Sequence, residues 1–503
     1  MVTTTRSATL VGVDAQLVEV ETELAQGLPY FTIIGLGDTA VQEARYRIQA
    51  ALRASALELP HKRITVNLAP AGVRKDGAAL DLPMALGLLS AAGLLPEDSL
   101  QRTVAVGELA LTGHLRPVRG TLAVASLARR MGMSRVIVPQ DNGPEAAAID
   151  VEVLAPATLG ELVAHLKGES RLAPPRPAPE QERGDPGLDL RDVRGQPLAR
   201  RALEVAAAGG HNLLLVGPPG TGKTMLARRL PSILPPLTPD ERIEVTKIWS
   251  AAGLTLAGSG LVSCRPFRAP HHSISSAGLV GGGAPIRPGE VSLAHSGILF
   301  LDEMPELPRH ILELLRQPLE DREVVISRAR QTVRMPAELM LVGAANPCPC
   351  GWLGHSSGRC RCRPEEVTRY LSRLSGPLMD RLDMVVEAAA LPPETLMDGG
   401  AGEASAAVRD RVSRARRRAL ERRGRPNARL SGAALRKQAC LQDEARRLLE
   451  AAVRTLELSA RGLDRVLKVA LTLSDLMDQD EISAEALGEA LRYRPPTDWT
   501  RVN

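Results

Sequence analysis

Aromatic side chains are scarce. Three Phe, four Tyr and three Trp in 503 residues leave few rings on which successive bases could stack, which argues against a single-strand binder built on stacking platforms. Cysteine is also sparse, at six residues. The opening segment, MVTTTRSATL, lacks an apolar signal core. Together these predict a cytoplasmic protein with no disulfide framework. No clean apolar run of membrane length is present. The most apolar stretch, residues 78–95, contains Asp81 and Pro83 among Ala and Gly and predicts a buried helix instead of a membrane span. A large excess of one charge is missing too. The net charge of +5 suits a polyanionic partner, and a bland surface would give the same figure. There is no fixed-period repeat.

What remains is ordinary for a globular protein, with 44% hydrophobic and 24% charged residues, and a length that suggests roughly three domains. Residues 172–186, LAPPRPAPEQERGDP, are too rich in proline for helix or central strand and predict a linker. A second break, a hinge, is expected over residues 392–405. The predicted division is therefore 1–171, linker 172–186, 187–391, hinge 392–405 and 406–503. In the middle part, NLLLV (212–216), ILFL (298–301) and LMLVGA (339–344) read as buried parallel strands alternating with helical patterns. After residue 405, VRDRVSRARRRALERR and ARRLLEAAVRTLEL have the three–four apolar spacing of helices.

The chemistry lies in the middle. Gly217, Pro218, Pro219, Gly220, Thr221, Gly222, Lys223 and Thr224 fit the phosphate-loop pattern in full. Glycines let backbone N–H groups close around phosphate oxygens, Lys223 adds a charge at the outer phosphates, and the Thr224 hydroxyl is placed for magnesium. The strand HNLLLV precedes the loop and the helix MLARRL follows it, adding its positive end. The strand ILFL delivers Asp302 and Glu303. Asp302 is expected to hold magnesium and Glu303 to activate the attacking water. Asn346, one strand later, would help place that water. The implied cofactors are ATP and Mg2+.

Cys348, Cys350, Cys360 and Cys362 form a C-x-C…C-x-C cluster. Four thiolates suffice for a closed, structural zinc site; a redox pair is the other reading. Cys264 and Cys440 are isolated, and His271 and His272 read as part of a polar loop.

At this point longer strings become informative. FRAPHHSISSAGLVGGG, RPGEVSLAHSGILFLDEMPEL, LRQPLEDREVVISRA and NPCPCGWLG resemble the magnesium-chelatase-like AAA+ proteins of the ComM/YifB family, nearly end to end. The resemblance implies an α/β AAA+ phosphate-loop core with an α-helical lid. It also implies a homo-oligomeric ring, a hexamer, with ATP between subunits, and DNA branch migration in recombination or natural transformation. By resemblance, Arg381 in GPLMDRLD is the arginine finger that reaches the neighbour's ATP, and Arg461 in SARGLDR is the lid's sensor arginine, with Arg465 its rival. REVVISRARQTVRMP (322–336) reads as a hairpin with Arg328 and Arg330 near its tip; in related helicases such a hairpin pushes on DNA phosphates, and a solvated tip is the other reading.

The first domain resembles the α+β proteolytic domain of Lon proteases in KDGAALDLP and VGELALTGHLRPVRG. The nucleophile position is Ala79 and the catalytic lysine falls near Leu122, so neither nucleophile nor base is available, and a fold without proteolysis is expected. From Arg409 to Arg425 nine arginines face only Asp410 and Glu421, as a solvated helix or as a phosphate-contacting surface. Four functions remain in play: a DNA translocase, the motor subunit of a metal-chelatase-like or protein-remodelling complex, a Lon-like protease, and a nucleotide-dependent scaffold. The missing serine and lysine count against the protease. Glu303 and Arg381 count against a scaffold without turnover.

Overall fold

The computed structural model describes residues 2–75, 77–176, 178, 187–255, 258–328, 331–355, 357–390 and 402–494. Most of the linker (177, 179–186) and of the second break (392–401) lies outside the described residues.

Period-two patterning builds the first sheet. In the strand Asp14–Ala25, Val18, Val20, Thr22 and Leu24 point inward while Glu19, Glu21 and Glu23 point out, as one buried face requires. It pairs antiparallel with Val2–Val11 across a tight turn at Gly12 (φ 65°). The seven-stranded sheet runs Tyr30–Ile34, Arg63–Ala69, Asp14–Ala25, Val2–Val11, Thr103–Ala105, Arg135–Ile137, Glu152–Leu154. The apolar stretch expected to be a buried helix forms Asp81–Ala91, buried at every position but Ser90. It lies so close to the sheet that a side chain on Gly87 would meet Thr22 Oγ1 at 2.6 Å. Thr3 and Thr5 donate to its carbonyls at Gly87 (3.1 Å) and Pro83 (3.0 Å).

The middle sheet has five parallel strands in the order Phe267–Arg268, Ile298–Leu301, Met340–Ala345, Leu213–Val216, Met384–Glu387. Its three central strands are buried at every residue, which explains why they read as unbroken apolar runs. Because all run the same way, their C-terminal ends share one edge, and loops there converge. The expected hairpin is Glu323–Arg328 paired with Gln331–Pro336, with Arg328 opposite Gln331.

The first domain is seated on this hairpin. The Gly12 turn faces it so closely that a Cβ there would stand 2.3 Å from Val333 Cγ1, and Val13 is buried in one cluster with Val324, Val333 and Met335. Alongside, Gly120 N donates to Ser250 Oγ at 3.0 Å, and Lys247 pairs with Asp14.

Helices Ser405–Arg423, Gly432–Gln438, Asp443–Thr455, Ala460–Leu476 and Ala484–Arg492 follow. Their apolar faces join the cluster that also holds the helix Pro197–Gly209 and the strand Leu213–Val216. Several of the basic arginines turn inward: Arg411 to Glu204 and Glu403, Arg423 to Asp475, Arg416 to the carbonyls of Ala207 and Ala208. Arg409, Arg414, Arg417 and Arg425 are exposed. Among the described residues no helix is long and apolar enough to cross a membrane.

Candidate nucleotide site

The strand Leu213–Val216 ends at Gly217, where no side chain fits: a Cβ would meet Ala388 O at 2.3 Å. Gly220 (φ 81°) and Gly222 (φ 84°) take left-handed backbone that favours glycine. The loop then opens the helix Lys223–Ile233, whose first N–H groups face the loop mouth as an anion site.

Lys223 folds over its own loop. Its Nζ donates to Gly217 O at 2.7 Å, to Pro218 O at 2.9 Å and to Asn346 Oδ1 at 3.1 Å. Burial pushes this ammonium down, and the pull of Asp302 and Glu303 only partly offsets it. Thr224 Oγ1 donates to Asp302 Oδ2 at 2.7 Å, so the hydroxyl and carboxylate expected around magnesium already touch. Asp302 Oδ1 accepts from Glu303 N at 3.0 Å. Glu303 is exposed and sits at φ 47°, unusual for a side chain this long and a sparsely populated conformation that clusters at functional sites. Lys223, Thr224, Asp302, Glu303 and Asn346 thus stand at one edge of the sheet.

Arg381 and Arg461 stand at the opposite edge. Met384, three residues after Arg381, pairs with Leu213 at the start of the phosphate-loop strand. At about 3.3 Å per residue, the four-residue strand separates Arg381 from the loop. Arg381 pairs with Glu320, and its backbone carbonyl accepts from Asn212 Nδ2 at 2.8 Å. Arg461 donates to Asp380 Oδ2 at 3.3 Å and is exposed. Arg465 is largely consumed, donating to Met379 O (2.8 Å), Leu382 O (3.2 Å) and Asp380 Oδ1 (3.4 Å). Neither arginine approaches the phosphate loop of its own chain.

The cysteine cluster adjoins the site. The Sγ of Cys348 lies 3.4 Å from that of Cys350 and 3.8 Å from that of Cys360, and all four Sγ atoms, Cys362 included, fall within 4.8 Å of one another. Thiolates about 2.3 Å from one zinc stand roughly 3.8 Å apart, so the cluster has the size of a closed tetrahedral site. Burial pushes the Cys348 thiol up to about 12, whereas Trp352 N–H draws Cys350 down to about 6. Gly351 (φ 82°) presses against the phosphate loop, where a Cβ would stand 2.7 Å from the Pro219 ring. His271 and His272 lie in an exposed loop with their rings 4.0 Å apart and tilted by 35°, and His271 Nδ1 is 2.8 Å from Ser273 Oγ. Arg328 is exposed near the hairpin tip, and Arg330 lies outside the described residues.

Two contributors escaped the sequence reading. Gln196, buried at φ 53°, donates through Nε2 to Thr221 O (3.2 Å) and Ala389 O (2.6 Å), clamping the phosphate loop; its only signal is a polar residue between Gly195 and a helix-starting Pro197. His211 meets Thr472 Oγ1 at 2.8 Å and Asp383 Oδ2 at 3.6 Å, while Asp383 accepts from Asn212 N at 3.0 Å. Burial alone would raise the Asp383 carboxyl, but His211, Lys468 and the Asn212 N–H hold it below the usual range. The helix Ala460–Leu476 is thereby tied to the foot of the phosphate-loop strand.

In the first domain, Ala79 lies just before the buried helix beside a cavity of about 410 Å³ that Asp38, Gly77, Arg119 and Arg287 also line. Leu122 is fully buried among Ala8, Val104 and Val106. Lys75 is buried too, donating to Leu68 O at 3.0 Å and to Pro70 O.

Three family models match the chain: magnesium chelatase, subunit ChlI, over residues 189–396; subunit ChlI of Mg-chelatase over 20–142; and the ChlI C-terminal region over 402–494. The YifB protein of Salmonella typhimurium is 45% identical over 97% of this chain and 96% of its own. The competence protein ComM of Haemophilus influenzae is 44% identical over 96% and 95%. The magnesium-chelatase 38 kDa subunit of Cereibacter sphaeroides is 28% identical over 31% of this chain and 51% of its own.

Proposed function

Because this chain belongs to the ComM/YifB family of magnesium-chelatase-like proteins, we propose that it is an ATP-hydrolysing AAA+ ring motor that translocates on DNA and drives branch migration in recombination or natural transformation. The observation that carries the reading is the split of the site. The phosphate, magnesium and water residues stand at one edge of the core sheet, while Arg381 and Arg461 stand at the other. A ring of identical subunits brings the two edges together; a monomer cannot. A hexamer in the cytoplasm is the assembly assigned.

Bound magnesium supplies charge neutralisation on the outer phosphates, and Thr224 and Asp302 would hold it. Lys223 exchanges its loop carbonyls for phosphate oxygens. Asn346, now on Lys223, is placed to orient the attacking water, and Glu303 takes that water's proton. The neighbour's Arg381 meets charge developing on the transferred phosphoryl group. Arg461, exposed and held by one acceptor, is the freer of the two lid arginines and is assigned the sensor role. Cys348, Cys350, Cys360 and Cys362 would hold a structural zinc beside the loop. Residues 1–171 are assigned as a Lon-protease-like collar without catalysis, 172–186 as linker, 187–391 as core, 392–405 as hinge and 406–503 as lid. Arg328, with Arg330, would touch the DNA backbone.

The test is ATP hydrolysis with and without forked or four-way-junction DNA, with Glu303→Gln and Lys223→Ala as controls. Stimulation by DNA that both variants abolish supports the motor. Hydrolysis indifferent to every DNA overturns the translocase and favours a chelatase-like or protein-remodelling motor.

A further inference from the structure

A second cavity, of about 350 Å³, opens on the sheet edge opposite the phosphate loop. Its floor is the start of two core strands, at Gly297 and Met340, and one wall is the loop after the helix Ser405–Arg423, at Gly424 and Arg425. The other wall is Arg322, the residue at which the hairpin Glu323–Arg328 begins and whose carbonyl accepts from Ala337 N at 2.8 Å, closing the hairpin's root.

The charges lining this space do not cancel. Glu241 is occupied by Arg265 at 3.0 Å, Glu244 by His295 at 3.0 Å, and Glu338 pairs with Arg429. Asp383 acts on Arg322 through space, but its carboxylate already serves Asn212 N and His211. Three arginines are left over. Among the described residues, Arg322 and Arg425 have no ion pair and no side-chain hydrogen bond. Arg416 spends Nε and Nη2 on the carbonyls of Ala208 and Ala207 and keeps Nη1 free. Burial pushes the Arg322 guanidinium down, and neighbouring Arg425 adds to it after Asp383 partly offsets it. Guanidinium groups are weakly hydrated forks whose geometry matches phosphate oxygens. A concave space of a few hundred cubic ångströms suits a small ligand group.

We propose that this cavity is a second phosphate site, separate from the phosphate loop, in which Arg322 and Arg425 receive one phosphate group of a nucleic-acid backbone or of a nucleotide. Its place gives it a consequence. A phosphate bound there touches the hairpin root and the loop after the helix Ser405–Arg423 together. The proposal does not depend on hydrolysis at the phosphate loop.

The experiment uses the full chain carrying Lys223→Ala, which cripples the phosphate loop, titrated calorimetrically with inorganic pyrophosphate. Binding is expected to persist. It should weaken about tenfold for each arginine removed in Arg425→Gln and in Arg322→Gln plus Arg425→Gln, as loss of a charged hydrogen bond implies. Arg425 is exposed, so its variant folds and stands as the test should Arg322→Gln not fold. No binding to the Lys223→Ala chain, or equal affinity in the arginine variants, overturns the proposal. Competition separates the sources: displacement of pyrophosphate by a short single-stranded oligonucleotide assigns the site to a DNA backbone, and displacement by ADP alone assigns it to a nucleotide. Displacement by neither overturns it.

Discussion

Two places in this chain set a positive-φ glycine ahead of a helix, with different backbones: Gly77 is extended in ψ (−178°) and Gly222 is left-handed (ψ 17°). In the first domain, Gly77 at φ 82° leads through Ala78–Leu80 into the helix Asp81–Ala91 beside a cavity. In the core, Gly222 at φ 84° leads into the helix Lys223–Ile233 beside the nucleotide loop. Both turns aim a helix start at open space. One carries Lys223 and Thr224, with Asp302 2.7 Å from the Thr224 hydroxyl. The other carries Ala79, and the position expected for its partner, Leu122, is sealed in the core. Even the one lysine nearby, Lys75, spends its ammonium on backbone carbonyls. A positive-φ glycine beside open space is common to both; the turns differ in ψ and in the side chains they present.

That contrast can be broken or sharpened, and the largest effect is expected at Arg381. Arg381→Ala should lower kcat for ATP about 10³-fold or more with nucleotide affinity nearly kept, measured by steady-state hydrolysis beside a nucleotide-binding titration. Mixing it with Glu303→Gln subunits should restore part of the rate if the two edges act between chains. Glu303→Gln alone should cost about 10²–10⁴-fold while ATP binding persists. A smaller effect belongs to Gly351. A Cβ there both violates the positive φ and meets Pro219 at 2.7 Å, so Gly351→Ala should weaken ATP binding by roughly tenfold, about 1–3 kcal/mol of strain being available, as read by fluorescent-nucleotide titration. Chelation of metal from the cysteine cluster should move the same constant in the same direction. The smallest effect is expected in the first domain: Ala79→Ser should produce no hydrolysis of casein or a fluorogenic peptide, because buried Leu122 stands where the lysine is expected and Lys75 is held by backbone carbonyls. Peptide cleavage by that variant would erase the distinction between the two turns.

Legibility in the sequence followed contiguity. The phosphate loop, the Asp302–Glu303 pair and the four clustered cysteines each lie within a short segment, so residue type and spacing sufficed. The three central strands were legible because full burial makes them unbroken apolar runs. The edge strands were not: Phe267–Arg268 is two residues long, and Met384–Glu387 is four residues beginning one position after Asp383. Gln196 was invisible because its partners, Thr221 and Ala389, lie 25 and 193 residues away. The arginine-rich helix read as a solvated face or a phosphate surface for the same reason. Glu204 and Asp475, which absorb Arg411 and Arg423, come from other helices. Only the arginines that these acids leave over carry free charge.

The seat of the Gly12 turn on Val333 joins the first domain to the hairpin. The turn is the end of a ribbon in which every residue of Val2–Val11 is paired with a residue of the strand Asp14–Ala25, from Val2 with Glu23 to Val11 with Asp14. Such a ribbon bends as one beam. Val333 stands in the middle of the hairpin, opposite Ile326, so the ribbon's end and the hairpin's body share one apolar seat.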